Sequence, residues 1–313
     1  MDSLRIVMAG ACLAALVLAL LAAACGPAGP PAGSGGGGRL RVVATTTIVG
    51  DVVAAVGGER IDLTVLLPVG ADPHSLQPTP RDIAAVAEAG VLFVNGLGLE
   101  RFLEPLLEGA GGHAVVASVS EGIEVRRLEA GHGHGARGDV DPHVWTDPNN
   151  VAVWARNVAA ALGELEPANA AAYRAAAAAY AAELAELDRW IAAQVARVPP
   201  ERRKLVTDHN TFAYFAERYG FRQVGVVFPG FSALSEPSAG DLARLATAVR
   251  EQGVAAVFVG TTVNPGLAER IAEDAGIAVV AVYTGSLSEA GGPADNYISL
   301  MRYNVTAIIN ALE

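Results

Sequence analysis

The feature that most constrains the fold is a stretch without glycine or proline, residues 168–197. Pro167 precedes it and Pro199 follows it closely, and prolines at these places are typical of a helix that starts and stops there. At about 1.5 Å per residue the stretch predicts a helix of roughly 45 Å. Its large apolar side chains recur at helical spacing on one stripe: Tyr173, Tyr180, Leu184, Leu187, Ile191 and Val195. We therefore expect a long helix that packs against the rest of the molecule.

On both sides of this helix, short apolar runs alternate with helical patterns. The runs that predict strands cover residues 40–49, 61–68, 91–95 and 114–119, then 204–208, 223–228, 255–260 and 278–283. Such alternation predicts parallel sheets with helices on both faces. The expected fold is therefore α/β, with two Rossmann-like lobes joined by a helical spine. We place the lobes at 39–163 and 200–313 and the linking helix at 164–199.

The N-terminal segment has the pattern of an export signal. Residues 6–24 carry no charge and end in small residues before Cys25, which predicts a signal peptide over 1–24 and lipidation of the Cys25 sulfur. An uncleaved transmembrane anchor is the alternative, since the run is long enough to span a bilayer. Residues 25–38 are rich in glycine and proline and predict a flexible tether. We expect an extracytoplasmic protein that is lipid-anchored to the cell membrane, on its periplasmic side or outer face.

Charge and cysteine content narrow the chemistry. The chain has 22 Lys and Arg against 33 Asp and Glu, a formal net charge of -11, which argues against a nucleic-acid partner. Its two cysteines, Cys12 and Cys25, both lie near the N-terminus. The predicted globular part therefore has no thiolate for a metal site or for nucleophilic catalysis, and any metal must be bound by His, Asp or Glu.

Three of the six histidines stand next to predicted strands or helices. His74 follows a strand, His143 precedes a helix, and His209 lies at a strand-to-helix junction. Each one alone is better explained as an ordinary loop histidine than as a metal ligand. Open α/β sheets, however, place their ligand sites at the carboxyl ends of strands, and the shared position of the three predicts a common metal site.

Four motifs carry a resemblance to a known family: Asp72-Pro-His-Ser, Asp141-Pro-His-Val-Trp-Thr-Asp-Pro, Asp208-His-Asn-Thr-Phe-Ala-Tyr-Phe and Tyr297-Ile-Ser-Leu-Met-Arg-Tyr-Asn. From about Arg41 to the C-terminus, the chain resembles the zinc and manganese substrate-binding proteins of bacterial ABC transporters, the cluster A-I or family 9 solute-binding proteins. The resemblance implies two (β/α) lobes joined by one long helix, with a metal ion between them. It implies His74, His143 and His209 as ligands, and an ABC permease with its ATPase as partners of a monomeric protein.

The fourth ligand position departs from the family pattern. Family members often have an aspartate in a Thr-Asp-Ser sequence, whereas this chain has Gly285 between Thr284 and Ser286. A water molecule, Glu236 or Asp208 are the open alternatives for this place. Three imidazoles without an assured carboxylate favour Zn²⁺, because Mn²⁺ prefers oxygen ligands; Mn²⁺ is the alternative substrate.

Two further histidines, His132 and His134, lie in a Gly-His-Gly-His-Gly segment. They are either an auxiliary metal-binding loop, a shorter form of one found in zinc members of the family, or incidental residues of a glycine loop. A zinc-dependent hydrolase is a competing class, but the sequence contains no His-Glu-x-x-His motif with its general base. An adhesin is a third class that no sequence feature supports. We expect a binding protein with no catalytic residues.

Overall fold

The computed structural model describes residues 38–112, 114–127 and 140–313. The predicted signal peptide, most of the tether, Cys25, His132 and His134 lie outside these residues. No helix in the described ranges combines the length and the apolar character needed to cross a membrane.

Eight strands in the described part of the chain form two parallel sheets of four strands each. The first sheet has the order β2-β1-β3-β4 and the second the order β6-β5-β7-β8, so the two repeat one topology. The strands are β1 Leu40–Ala44, β2 Ile61–Val65, β3 Val91–Val94, β4 Val115–Ser118, β5 Lys204–Thr207, β6 Arg222–Val226, β7 Ala256–Gly260 and β8 Ala278–Val282. The predicted α/β class with two lobes is confirmed.

The helices of the described residues lie between these strands and after the last one. They are α1 Thr47–Gly57, α2 Pro80–Glu88, α3 Leu103–Gly109, α4 Pro148–Leu165, α5 Ala170–Val195, α6 Ala213–Tyr219, α7 Ala239–Gln252, α8 Gly266–Ala275 and α9 Tyr297–Leu312. Helix α5 is the predicted linking helix, somewhat shorter than the glycine-free stretch because residues Pro167–Asn169 form a separate 3₁₀ turn. All six residues of its predicted apolar stripe are buried.

The first strand ends earlier than its apolar pattern predicts. Residues 40–49 read as one strand, but β1 stops at Ala44 and helix α1 begins at Thr47. Thr46 is the reason, because its Oγ1 accepts a hydrogen bond from the backbone nitrogen of Val49 at 3.1 Å and caps the helix. The β-branched residues that suggested a longer strand are instead the first turn of α1.

The two lobes share one apolar core along the linking helix. It includes Val42 from the first sheet, Leu184 from α5, Phe215 from α6 and Leu312 from α9, each at most 1% exposed. Each sheet also has a smaller apolar cluster of its own. The lobes are therefore held together by continuous packing as well as by the chain connection.

Candidate metal centre

His74, His143 and His209 lie side by side in the structure. The Nε2 atom of His143 is 3.3 Å from Nε2 of His74 and 3.3 Å from Nε2 of His209. The three side chains are 9%, 1% and 4% exposed, respectively. Each offers one ring nitrogen, and these three atoms all lie within 4.8 Å of one another. His74 and His143 come from the first lobe and His209 from the second, so the cluster joins the lobes.

The two Asp-Pro-His sequences adopt the same local turn. Asp72 Oδ1 accepts a hydrogen bond from the backbone nitrogen of His74 at 2.9 Å. Asp141 Oδ1 accepts one from the backbone nitrogen of His143 at 3.0 Å. Aspartate side chains commonly bond the backbone two residues on in this way. Asp141 makes a second contact, since its Oδ1 also lies 2.8 Å from Nδ1 of His143. A proton held on Nδ1 leaves the Nε2 lone pair free to coordinate a metal.

His209 directly follows strand β5 and has its own buried carboxylate. Asp208 Oδ1 accepts a hydrogen bond from the backbone nitrogen of His209 at 2.5 Å. The same oxygen lies 2.8 Å from the ring Nδ1 of His209. The other oxygen, Oδ2, accepts a hydrogen bond from the backbone nitrogen of Gly260 at the end of β7. Asp208 is thus fixed between two parallel strand ends and orients the imidazole ring. In the sequence each clustered histidine has an aspartate one or two residues before it, a signal that points to these supporting carboxylates.

The environment sets the protonation of the three rings. Burial lowers the pKa of His74 to about 2, and the neighbouring His143 and His209 act in the same direction. Burial likewise lowers the pKa of His143 well below its ordinary value. For His209, burial opposes the charged form, but Asp208 outweighs it and raises the pKa. Two imidazoles are therefore neutral and ready to coordinate near pH 7, while His209 retains its proton more strongly.

Aromatic rings cover the cluster. The Trp145 ring centroid lies 5.2 Å from that of His143, and the Phe231 centroid lies 6.2 Å from it. The Trp145 Nε1 donates a hydrogen bond to the carbonyl of Thr284 in the second lobe. Sequence reasoning did not assign Trp145 to the site, although its place two residues after His143 is a signal for it.

The structure places the three alternatives for a fourth ligand differently. Glu236 is exposed, and no carboxylate of the described residues belongs to the group of clustered ligand atoms. Both oxygens of Asp208 are engaged by backbone nitrogens. Gly285 is packed against the His74 loop, where a Cβ atom would stand 2.7 Å from Pro73 Cδ. A water molecule is the alternative that needs no rearrangement of these side chains.

Two parallel α/β lobes on one long helix, with buried imidazoles from both lobes in a single cluster, define a two-lobed metal-binding protein. Comparison with known proteins identifies the family. The family model described as the periplasmic component A of a zinc-uptake complex matches residues 42–311. The chain belongs to this family, the metal-binding substrate-binding proteins of bacterial ABC transporters of cluster A-I.

Individual relatives agree with this assignment. The chain is 37% identical over 298 residues to the manganese-binding lipoprotein MntA of Halalkalibacterium halodurans, which covers 95% of this chain and 96% of that protein. Its fold is similar to the periplasmic zinc binding protein TroA of Treponema pallidum, with a TM-score of 0.80, 28% identity, and coverage of 88% of this chain and 99% of that one. The Mn-bound periplasmic metal binding protein of Candidatus Liberibacter asiaticus shares the fold, with a TM-score of 0.79 at 24% identity over 88% of this chain and all of that chain (100%).

Proposed function

We propose that this protein captures Zn²⁺ through His74, His143 and His209 and delivers it to an ABC permease with its ATPase. It acts outside the cytoplasm as a monomer, anchored by a lipid on Cys25 after removal of residues 1–24. The observation that carries the choice of zinc is the composition of the cluster: three buried imidazole nitrogens, with no carboxylate oxygen of the described residues among them.

Two of the three separations within the cluster fit a small tetrahedral cation. With Zn–N distances of about 2.0–2.1 Å, a tetrahedral site places neighbouring ligand nitrogens about 3.3–3.4 Å apart. The two His143 contacts, at 3.3 Å each, match that spacing. The carboxyl groups also favour a cation, because Asp141 and Asp208 are both buried against the coordinating rings. Burial raises the pKa of Asp141 to about 7, so a bound cation would favour its charged form. A water molecule would complete the coordination sphere.

Manganese is the second candidate, and it has a specific observation in its favour. The relative from H. halodurans, at 37% identity, is named as manganese-binding, whereas the T. pallidum protein is named as zinc-binding. Mn²⁺ prefers sites rich in oxygen, and the described cluster offers nitrogen alone. Ligand chemistry therefore favours zinc over manganese.

The supporting carboxylates argue for binding without catalysis. A zinc hydrolase needs a general base beside the metal-bound water, but Asp141 and Asp208 both face the Nδ1 side of the ligand rings. They orient histidines in the way that outer-sphere carboxylates usually do. We infer a transport component that binds and releases its ion unchanged, and incubation of the zinc-loaded protein with ester and peptide substrates should give no turnover.

Elemental analysis of protein purified without added metal tests the proposal directly. We expect one zinc per chain, and isothermal titration of metal-free protein should give tighter binding for Zn²⁺ than for Mn²⁺. His143→Ala should abolish tight binding, because His143 contacts both other rings. Manganese in the purified protein would contradict the choice of metal, and unchanged zinc binding in His143→Ala would contradict the site itself.

A further inference from the structure

A short segment after strand β8 is buried although it lies in a connection between elements. Residues 284–287 are all buried, with Thr284 at 3% and Ser286 at 1% exposure. They belong to the second lobe and contain no side chain of the histidine cluster. Connections usually run over the surface. This one instead makes hydrogen bonds to the first lobe through the Thr284 carbonyl, the Ser286 hydroxyl and the Leu287 backbone nitrogen.

One end of the segment contacts the chain next to His143. The carbonyl of Thr284 accepts a hydrogen bond from Trp145 Nε1 at 3.0 Å, and the Trp145 carbonyl accepts one from the Tyr297 hydroxyl at 2.6 Å. Trp145 in turn packs its ring against the His143 ring. The second lobe thereby fixes Trp145 on two sides, and Trp145 limits the movement of His143.

The middle of the segment contacts the loop that contains His74. Ser286 Oγ accepts a hydrogen bond from the backbone nitrogen of Gly70 at 2.9 Å. Gly285 packs so closely on Pro73, directly before His74, that a Cβ atom would lie 2.7 Å from its Cδ. Next to these contacts, Thr47 Oγ1 on α1 accepts a hydrogen bond from the backbone nitrogen of Leu287 at 2.9 Å.

The bond from Gly70 is important because the His74 loop has few other attachments. Its first residues, Leu66 and Leu67, bond to the chain at the end of β1. Over residues 68–78, the other hydrogen bonds recorded among the described residues stay within the loop, apart from the ring contact between His74 and His143. Ser286 is thus the hydrogen-bonded anchor of this loop to the opposite lobe.

We propose that Ser286 is a positioning residue that sets metal selectivity: with the rest of segment 284–287 it holds His74 at the 3.3 Å separation from His143 that suits a small tetrahedral cation. The inference rests on the proposed function, because the position of His74 affects binding only if the imidazoles coordinate the ion. Without the Ser286 hydroxyl the His74 loop is free to move outward. The site then loses its preference for the short metal–nitrogen distances of Zn²⁺.

The test compares Ser286→Ala with Ser288→Ala in the full chain. Ser288 is a matched control, because its Oγ bonds Glu289 and Ala294 within its own loop. The Gly70 nitrogen lies in an exposed residue and can bond water instead, so Ser286→Ala should remain folded. We expect about tenfold weaker zinc binding in Ser286→Ala, within the range typical of outer-sphere changes, with little loss for Mn²⁺. Ser288→Ala should match the parent protein.

Co²⁺ absorption provides a readout that a purely structural role would not change. The parent protein and Ser288→Ala should show the intense visible bands of tetrahedral Co²⁺, and these bands should weaken in Ser286→Ala. Thr47→Val, which loosens the same segment from the first lobe, should change the spectrum in the same direction and carries the test if Ser286→Ala does not fold. Identical affinities and spectra in Ser286→Ala and Ser288→Ala would overturn the proposal, as would equal losses for both metals with unchanged bands. Failure of the proposed function differs from both, since His143→Ala would then bind like the parent.

Discussion

The carboxylate of Asp141 contacts His143 twice: Oδ1 lies 3.0 Å from its backbone nitrogen and 2.8 Å from its ring Nδ1. Asp72 contacts His74 through the backbone nitrogen at 2.9 Å. The two Asp-Pro-His turns therefore have the same backbone arrangement, and the carboxylate-to-ring contact of Asp141 distinguishes them. Because of this difference, the role of the turn can be tested separately from the role of the carboxylate charge beside the ring.

Replacing Asp141 by asparagine should weaken zinc binding by about 10- to 100-fold, the usual cost of losing an outer-sphere carboxylate. Asparagine keeps the oxygen that accepts the backbone bond but removes the negative charge beside His143 Nδ1. Asp72→Asn is the control, and we expect it to bind zinc almost as the parent does. Competition titration with a zinc chelator measures both. Equal effects of the two substitutions would show that the turn, and not the charge, is what matters.

Proton release should accompany zinc binding, with His209 as its main source among the three ligands. The pKa of His74, lowered to about 2 by burial, and that of His143, lowered by burial as well, leave both rings unprotonated near pH 7. Asp208 raises the pKa of His209 against the effect of burial, so this ring must lose its proton for the metal to bind. Affinity should therefore fall by about tenfold per pH unit for this ring below its raised pKa. Asp141, whose pKa burial raises to about 7, adds to the loss of affinity below neutrality.

Isothermal titration in buffers of different ionisation enthalpy counts these protons. The sequence alone, with three ordinary imidazoles, predicts a steeper loss of affinity in mildly acid solution. A release of about three protons, or a decline of about a thousandfold per pH unit, would contradict the buried environment of His74 and His143. Asp208→Asn should shift the decline to lower pH, because it removes the charge that holds the proton on His209.

Local patterns predicted most of the elements, because strand and helix periodicities depend on neighbouring residues. The helix over 170–195 and the α/β alternation follow from such patterns. The early end of β1 at Ala44 does not, since it depends on whether Thr46 caps a helix or continues a strand. Local signals of this kind are compatible with either conformation, and the tertiary structure selects one of the two.

The candidate metal site likewise combines features that local sequence patterns reveal with features that they do not. The three histidines and their preceding aspartates are visible as sequence motifs. The contacts across the lobes are not, because Trp145 and Thr284 are 139 positions apart and Gly70 and Ser286 are 216 apart. The environment of Gly285 likewise depends on Pro73 in the other lobe. Pairings at such separations follow from the packing of two whole lobes, which no local pattern encodes.

Adding a side chain at Gly285 should weaken zinc binding. A Cβ atom there would stand 2.7 Å from Pro73 Cδ, closer than packed carbon atoms approach, so the His74 loop must shift. We expect Gly285→Ala to lose affinity in a chelator competition assay, and Gly285→Asp to suffer the same displacement despite its added carboxylate. Gly240→Ala is the control, because its Cβ would meet Arg244 at an ordinary 3.4 Å. Tighter binding in Gly285→Asp would show that the loop adapts and the carboxylate coordinates.

Truncation of Leu184 should destabilise both lobes together. This side chain of α5 is 1% exposed and belongs to the core that both lobes share, so Leu184→Ala should reduce the free energy of unfolding by about 2–5 kcal/mol. Glu186→Ala on the exposed side of the same helix should change it by less than about 0.5 kcal/mol. Urea unfolding of the metal-free protein, followed by circular dichroism and tryptophan fluorescence, measures both values.

Because the core is continuous, the two probes should report one transition at the same urea concentration, shifted as a unit in Leu184→Ala. Two separate transitions, with only one of them shifted, would show that the lobes unfold independently and that packing along α5 does not couple them.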